Sequence, residues 1–194
     1  MTDPSVRLAR LRLENNPKKN HFKIVRSLGS GAFGCVDLCT VKKKKSYAKK
    51  GEQVAVKRIK TVFNTEMAKK EALVLSKLNH PFIVRYLDNF KDKLGQLCIV
   101  IEYCDQGTLE DYLSSSVRPH PECWIWRLVG QFSCALDFLH SQRPPILHND
   151  LKPANILCRN EPEKYTSGSV SNKIADFGVC NILGERIYLN YQLC

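Results

Sequence analysis

The spacing of apolar and polar positions divides this chain into two unlike halves. Up to about Val100, short runs rich in β-branched and aromatic residues predict strands. One helix-like stretch, from Thr65 to Leu78, interrupts them. The predicted strands are Phe22–Leu28, Cys35–Val41, Gln53–Ile59, Val84–Phe90 and Leu97–Ile101.

Beyond Thr108 the spacing becomes helical. Thr108, followed three residues later by Asp111, resembles a capping box and predicts the start of a short helix. Apolar positions three and four residues apart then predict a longer helix, at Trp124, Leu128, Phe132, Leu136 and Leu139. The segment Glu102–Gly107 joins the halves. The pattern therefore predicts an α+β fold, with a small β-rich lobe hinged to a helical lobe.

Composition limits the class of protein. The chain has 194 residues, 43% of them hydrophobic, which is enough for one large domain or two small lobes. Nine cysteines are scattered without a Cys-x-x-Cys pair, which argues against a compact zinc site and indicates reduced thiols in a cytosolic or nuclear protein. No run of 18 apolar residues and no apolar leader region occurs, so neither membrane insertion nor secretion is expected.

The net charge of +11 is concentrated near the N-terminus. Residues 1–60 hold 16 Lys and Arg against 4 Asp and Glu, and the remaining residues are nearly balanced. Much of the excess is Lys42–Lys45 with Lys49 and Lys50, which we interpret as a solvated hairpin loop. A nuclear-import or nucleic-acid patch stays open as an alternative. No aromatic residue lies within Lys42–Lys45, so a nucleic-acid partner is not expected.

The glycine-rich segment from Gly29 to Gly34 suggests phosphate binding. A Rossmann turn has the same glycine spacing, but there the glycines open a helix. Here they are followed by the strand-like Cys35–Cys39, which favours a strand-turn-strand flap over phosphate oxygens. A glycine-rich hairpin without a ligand is the alternative. The predicted contact residues are Leu28, Gly29, Ser30, Gly31, Ala32, Phe33, Gly34, Cys35 and Val36.

Ala55 and Lys57 lie on the same side of the third predicted strand, because side chains alternate along a strand. A lysine on a buried face requires a counter-charge. Glu71 shares the apolar stripe of the predicted helix, whereas Glu66 is rotated roughly 140° away. We therefore predict a Lys57–Glu71 ion pair. The alternative is a Glu71 at the rim, bonded to water.

Two further segments carry acidic and amide side chains. The first is Ile146–Leu157, which contains His148-Asn149-Asp150-Leu151-Lys152-Pro153-Ala154-Asn155. The second is Asp176-Phe177-Gly178, 26 residues after Asp150. Together with the glycine segment and Val54-Ala55-Val56-Lys57, in this order and spacing, they resemble the eukaryotic protein kinases from about His21 to about Ile182.

The resemblance can be narrowed to a branch of that family. Lys152, two residues after Asp150, is the serine/threonine-kinase form of this loop. The segments Leu78–Val84, Ile101–Cys104 and Leu151–Asn155 are most similar to the NIMA-related kinases. The resemblance implies a two-lobe kinase fold that transfers the ATP γ-phosphoryl group to Ser or Thr hydroxyls of proteins, with ATP and Mg²⁺ in the cleft.

The resemblance also implies roles for individual residues. Asp150 is expected to accept or orient the substrate hydroxyl proton, and Lys152 to neutralise charge on the transferring phosphoryl group. Lys57, paired with Glu71, would bind the α- and β-phosphates. Residues expected to hold the metal are Asn155 and Asp176. Residues expected around the adenine are Leu28, Val36, Ala55 and Leu157, with Ile101 behind it and the backbone of Glu102 and Cys104 at its edge.

The chain departs from the family pattern in two places. Asn149 stands where most members have an arginine that pairs with a phosphate, which puts phosphate-gated activation in doubt. Only 16 residues follow Gly178. We therefore expect residues 1–20 to be a basic extension, 21–103 the β-rich lobe, 104–182 a partial helical lobe and 183–194 a tail outside the resemblance.

That short ending affects the functional prediction. Without further helices, the helix face bearing Trp124, Leu128 and Phe132 would be exposed, and a covering protein partner is expected there. An alternative to the active kinase is then a truncated nucleotide-binding or partner-binding module without transfer activity.

Overall fold

The structure is a computed structural model and describes residues 21–31, 34–60, 65–115, 119–161 and 170–183. Its first half is a five-stranded antiparallel sheet in the order β1-β2-β3-β5-β4. Helix α1 (Thr65–Lys77) connects β3 to β4 and packs against this sheet. The strands are β1 (Phe22–Gly31), β2 (Gly34–Val41), β3 (Gln53–Ile59), β4 (Tyr86–Lys91) and β5 (Leu97–Glu102).

The second half contains helices and two short hairpins. A 3-10 turn, Pro153–Asn155, leads directly into β7. Strand β6 pairs with β9, and β7 pairs with β8, both antiparallel. The elements are α2 (Leu109–Ser115), α3 (Glu122–His140), β6 (Ile146–Leu147), β7 (Ile156–Asn160), β8 (Val170–Ile174) and β9 (Asn181–Ile182). The predicted α+β fold with a β-rich lobe and a helical lobe is confirmed.

One hydrophobic cluster connects the two lobes. Leu75 of α1 and Ile83 pack with Leu139 of α3, Ile174 of β8 and Phe177, all at most 2% exposed. Because interiors pack densely, this cluster fixes α1 relative to the segment that follows β8. It therefore sets the distance between the side chains that these two elements extend into the cleft.

The predicted fourth strand begins two residues too early. Val84 lies before β4, because its backbone nitrogen donates to the carbonyl oxygen of Ile174. The Arg85 nitrogen donates instead to the carboxylate of Glu102. Val84 is therefore a core residue that does not pair with a strand of the five-stranded sheet.

The loop between β2 and β3 carries the lysine run. Lys42, Lys43, Lys44, Lys49 and Lys50 are exposed, as a solvated hairpin loop requires. Backbone hydrogen bonds between Val41 and the chain at residues 51–52 close the loop.

The exposed face of α3 differs from the predicted one. The three residues expected to be bare, Trp124, Leu128 and Phe132, are partly buried against Leu109, Ile156 and Cys158. The exposed apolar side chains are instead Ile125, Trp126 and Val129, at 47%, 65% and 45%. The prediction was wrong because the run from 124 to 129 is apolar on more than one face. No helix in the described part of the chain is long and apolar enough to cross a membrane.

Candidate active site

A cleft of about 390 Å³ lies between the sheet and the helical lobe. This volume falls in the range of small-molecule sites. Its walls include all of the residues that the sequence predicts around an adenine. These are Leu28, Val36, Ala55, Ile101, Glu102, Cys104 and Leu157.

The described residues of the glycine-rich segment pair β1 with β2 in antiparallel fashion, with Gly31 opposite Gly34, as the predicted strand-turn-strand requires. Gly34 requires glycine, because a Cβ there would collide with the carbonyl oxygen of Arg58 on β3. Of the predicted flap residues, Gly29 lines the cleft. Ser30, Gly31, Gly34 and Cys35 lie nearer the turn of the same hairpin. Ala32 and Phe33 lie outside the described residues.

Lys57 lies between two carboxylates inside the cleft. Its Nζ is 2.6 Å from Oε1 of Glu71 on α1 and 2.8 Å from Oδ1 of Asp176. The predicted Lys57–Glu71 pair is therefore present, and the alternative of a rim glutamate does not hold. Glu71 is 5% exposed and Asp176 is 44% exposed. One ammonium thus joins the sheet, α1 and the segment after β8.

These charges are electrostatically coupled. Burial alone would lower the pKa of Lys57, but the charges of Glu71 and Asp176 outweigh burial and raise it above its ordinary value. Burial raises the pKa of Glu71, and the charge of Lys57 opposes that rise. With two carboxylate oxygens within 3 Å, Lys57 carries a full positive charge at neutral pH. It is therefore suited to bind an anion such as phosphate.

Asp150 lies at the centre of a second group of polar side chains. Nζ of Lys152 donates to both of its carboxylate oxygens, at 3.1 and 2.9 Å. Nδ2 of Asn155 donates to Oδ2 at 2.8 Å and to the backbone oxygen of Asp150 at 2.9 Å. The hydrogen bonds from Lys152 hold the pKa of Asp150 below its ordinary value, and Asn155 lowers it further. Asp150 is therefore an ionised hydrogen-bond acceptor at neutral pH.

Asp176 faces the cleft from an unusual backbone conformation. Its φ is 62°, in the left-handed region that non-glycine residues rarely adopt. The backbone nitrogen of Gly178 donates to its Oδ1 at 3.4 Å. Buried Phe177 stacks edge-on against His148, whose Nε2 donates to the Ala175 carbonyl oxygen at 2.9 Å. Burial lowers the pKa of His148, so this histidine is a neutral packing residue.

The structure shows a role for the Glu102 side chain that the sequence analysis missed. Its buried carboxylate accepts hydrogen bonds from Arg159 and from the Arg85 backbone nitrogen at 2.8 Å, and forms an ion pair with Lys173 at 3.2 Å. Lys173 also donates to the Pro81 carbonyl oxygen at 2.6 Å. A lysine in the apolar run before Asp176 was the available signal, because a buried cation needs a counter-charge.

The mouth of the cleft was also not predicted. Arg26 of β1 donates to the Tyr103 hydroxyl across the opening at 3.3 Å. Thr108 caps α2 through Asp111, and both residues line the cleft. The capping box is confirmed, but nothing in the sequence pattern linked it to a binding site. Contacts between residues 77 positions apart leave no local sequence signal.

The sequence matches the profile of the protein kinase domain over residues 22–192. The chain belongs to the protein kinase domain family. The predicted resemblance to the protein kinases is thereby confirmed. Nek kinases among the relatives confirm the predicted similarity to this serine/threonine branch.

Curated relatives agree with this assignment. Serine/threonine-protein kinase Nek11 of Homo sapiens is 34% identical over 170 residues, which is 84% of this chain and 24% of Nek11. Serine/threonine-protein kinase nekl-2 of Caenorhabditis elegans is 33% identical over 179 residues, 86% of this chain and 46% of that protein. U-box domain-containing protein 34 of Arabidopsis thaliana is 34% identical over 84% of this chain and 19% of its own length. The kinase domain described here thus spans less than half of each of these relatives.

Proposed function

We propose that this kinase domain transfers the γ-phosphoryl group of ATP to Ser or Thr hydroxyls of protein substrates. The observation that supports this most strongly is the position of Lys57, which contacts Glu71 and Asp176 at once. A cation held between these two carboxylates is placed to bind phosphate oxygens beside a metal site. The Asp150 group reaches the same cleft through Asn155.

The residues of the cleft fit a divalent metal. Asp176 offers a half-exposed carboxylate, and Asn155 uses its amide nitrogen on Asp150, which leaves its amide oxygen for a cation. In the described part of the chain, no cluster of three or more His, Cys, Asp or Glu could hold a metal unaided. Mg²⁺ suits such a site, because it takes one or two protein oxygens together with substrate phosphates. Bound there, the metal would neutralise charge on the transferring phosphates.

Asp150 has the properties needed to orient a substrate hydroxyl. Its lowered pKa keeps Asp150 ionised at neutral pH, so its carboxylate can accept a hydrogen bond from a substrate hydroxyl while being a weak proton acceptor in the ground state. Lys152, bonded to it, lies close enough to neutralise negative charge that develops during transfer. Lys57 would bind the α- and β-phosphates, and the glycine hairpin would cover them.

The chemistry of the surface supports two further proposals. Free thiols at Cys35, Cys39, Cys98, Cys104, Cys123, Cys134 and Cys158 support a cytosolic or nuclear location. Exposed Ile125, Trp126 and Val129 on α3 support contact with another protein segment.

Phosphoryl transfer can be tested in a chimaera whose kinase domain is that of human Nek11, with residues 22–182 of this chain replacing the matching part. We expect phosphorylation of Ser and Thr peptides and none of matched Tyr peptides. Asp150→Asn should reduce transfer at least about 10³-fold while leaving ATP affinity within about threefold. A chimaera that binds ATP but transfers nothing would contradict the proposal and favour a nucleotide-binding module. Equal loss of binding and transfer in Asp150→Asn would assign Asp150 a structural role.

A further inference from the structure

Two consecutive side chains hold the backbone on both sides of Asp176-Phe177-Gly178. His148 donates to the carbonyl oxygen of Ala175, the residue before this turn. Asn149 donates from Nδ2 to the carbonyl oxygen of Val179, the residue after it, at 3.3 Å. The segment that leads into Asp150 thus forms a hydrogen bond to each end of the turn that carries Asp176.

The backbone at residue 149 favours an asparagine. Its φ is 65°, in the left-handed region, where asparagine is strongly enriched over other non-glycine residues. In that conformation the short amide reaches the Val179 oxygen directly. The residue expected here from the family pattern, arginine, has a longer side chain and no such backbone preference. Asn149 therefore supplies both the conformation and the donor.

The turn on the other side of this contact needs external support. Asp176 also has a positive φ, of 62°, and such conformations persist only where the surroundings impose them. Towards the C-terminus, the pairing of β9 with β6 begins only at Asn181. The Asn149 hydrogen bond lies between that hairpin and Gly178. The Cys180 nitrogen, which donates to the Phe177 carbonyl oxygen at 3.2 Å, would still close the turn, so loss of the Asn149 hydrogen bond would loosen the backbone at Val179 and allow Asp176 to shift from its present conformation.

We propose that Asn149 is a positioning residue, which holds the turn after β8 so that the Asp176 carboxylate points into the cleft. The inference rests on the proposed function in one respect, namely that Asp176 binds the metal that accompanies ATP. Asn149 itself is not among the residues that line the cleft. Substitution of Asn149 should therefore change the affinity for ATP in the presence of the metal and leave the affinity for metal-free ATP unchanged.

Two variants separate the side chain from the backbone. Asn149→Gly keeps the positive φ accessible and removes the amide, whereas Asn149→Asp keeps the size and removes the donor. We expect each to weaken ATP affinity by about three- to tenfold with Mg²⁺, the effect of losing one exposed hydrogen bond. With EDTA in place of Mg²⁺, ATP affinity should not change. Asn79→Asp is the matched control, since Asn79 is an exposed asparagine remote from the turn.

Amide hydrogen exchange of the nucleotide-free chain gives a readout that does not depend on ligand. Peptides covering residues 175–183 should exchange faster in both Asn149 variants, while those covering β1–β3 should exchange at the wild-type rate. Unchanged exchange in 175–183 would overturn the proposal, as would equal weakening of ATP binding with and without Mg²⁺. Failure of the wild type to bind ATP would instead refute the proposed function, and the exchange result would still decide the role of Asn149.

Discussion

Lys57→Met removes the cation that pairs with both Glu71 and Asp176. Breaking a buried ion pair from one side costs about 3–5 kcal/mol, because the partner charge stays buried. That cost applies to Glu71, which is 5% exposed, but Asp176 is 44% exposed and can be hydrated. Glu71 can also take up a proton. We therefore expect the free energy of unfolding to fall by about 2–3 kcal/mol at pH 7.5.

The pH dependence of this loss identifies its cause. Without Lys57, the pKa of Glu71 in the folded state rises further above its unfolded value of about 4.3. Between those two values the folded state binds more protons than the unfolded state, so stability falls as pH rises through this window. The deficit of Lys57→Met relative to wild type should therefore shrink as pH falls from 7.5 to 5.5.

Urea unfolding followed by tryptophan fluorescence at the two pH values measures this effect. Lys77→Met, at an exposed lysine in the last turn of α1, is the matched control and should change stability by about 0.5 kcal/mol or less. Lys57→Met combined with Glu71→Gln should be less destabilised than the sum of the single variants by about 1 kcal/mol or more. A Lys57→Met loss no larger than that of Lys77→Met, or one independent of pH, would refute the reasoning.

Two further predictions follow from the geometry. Gly34→Ala should lower the free energy of unfolding by about 2 kcal/mol, because the new Cβ would meet the Arg58 carbonyl oxygen. Gly31→Ala is the control and should change thermal stability little, because the space around Gly31 is open. Similar melting temperatures of the two variants would contradict this prediction. Burial lowers the folded-state pKa of His148, so the unfolded state binds the proton first and stability should fall as pH drops below about 6.5. His148→Gln should lower the slope of melting temperature against pH in this range, and an unchanged slope would exclude His148 as its source.

Local patterns predicted most of the elements that carry the site. Strand β3 was predicted with its exact bounds, and helical spacing alone selected Glu71 as the partner of Lys57. These predictions held because strand alternation and helix periodicity decide which side chains face the core.

The remaining features depend on contacts between distant segments. The ion pairs of Glu102 with Lys173 and Arg159 join residues up to 71 positions apart. The hydrogen bond between Arg26 and Tyr103 crosses the cleft. The bare face of α3 was misassigned because its sequence is apolar on several sides, and only tertiary packing selects which side is covered. The spacing of residues within one helix or strand does not determine which of its faces packs against a distant element.

The central claim is that the cleft binds ATP together with a divalent metal through Lys57 and Asp176. Calorimetric titration of the 194-residue chain with ATP, in Mg²⁺ and in EDTA, tests it most directly. We predict binding that is at least about tenfold tighter in Mg²⁺, a Mg²⁺ advantage that disappears in Asp176→Ala, and weaker binding under both conditions in Lys57→Ala. Absence of binding at millimolar ATP, or a Mg²⁺ advantage that survives in Asp176→Ala, would contradict the account.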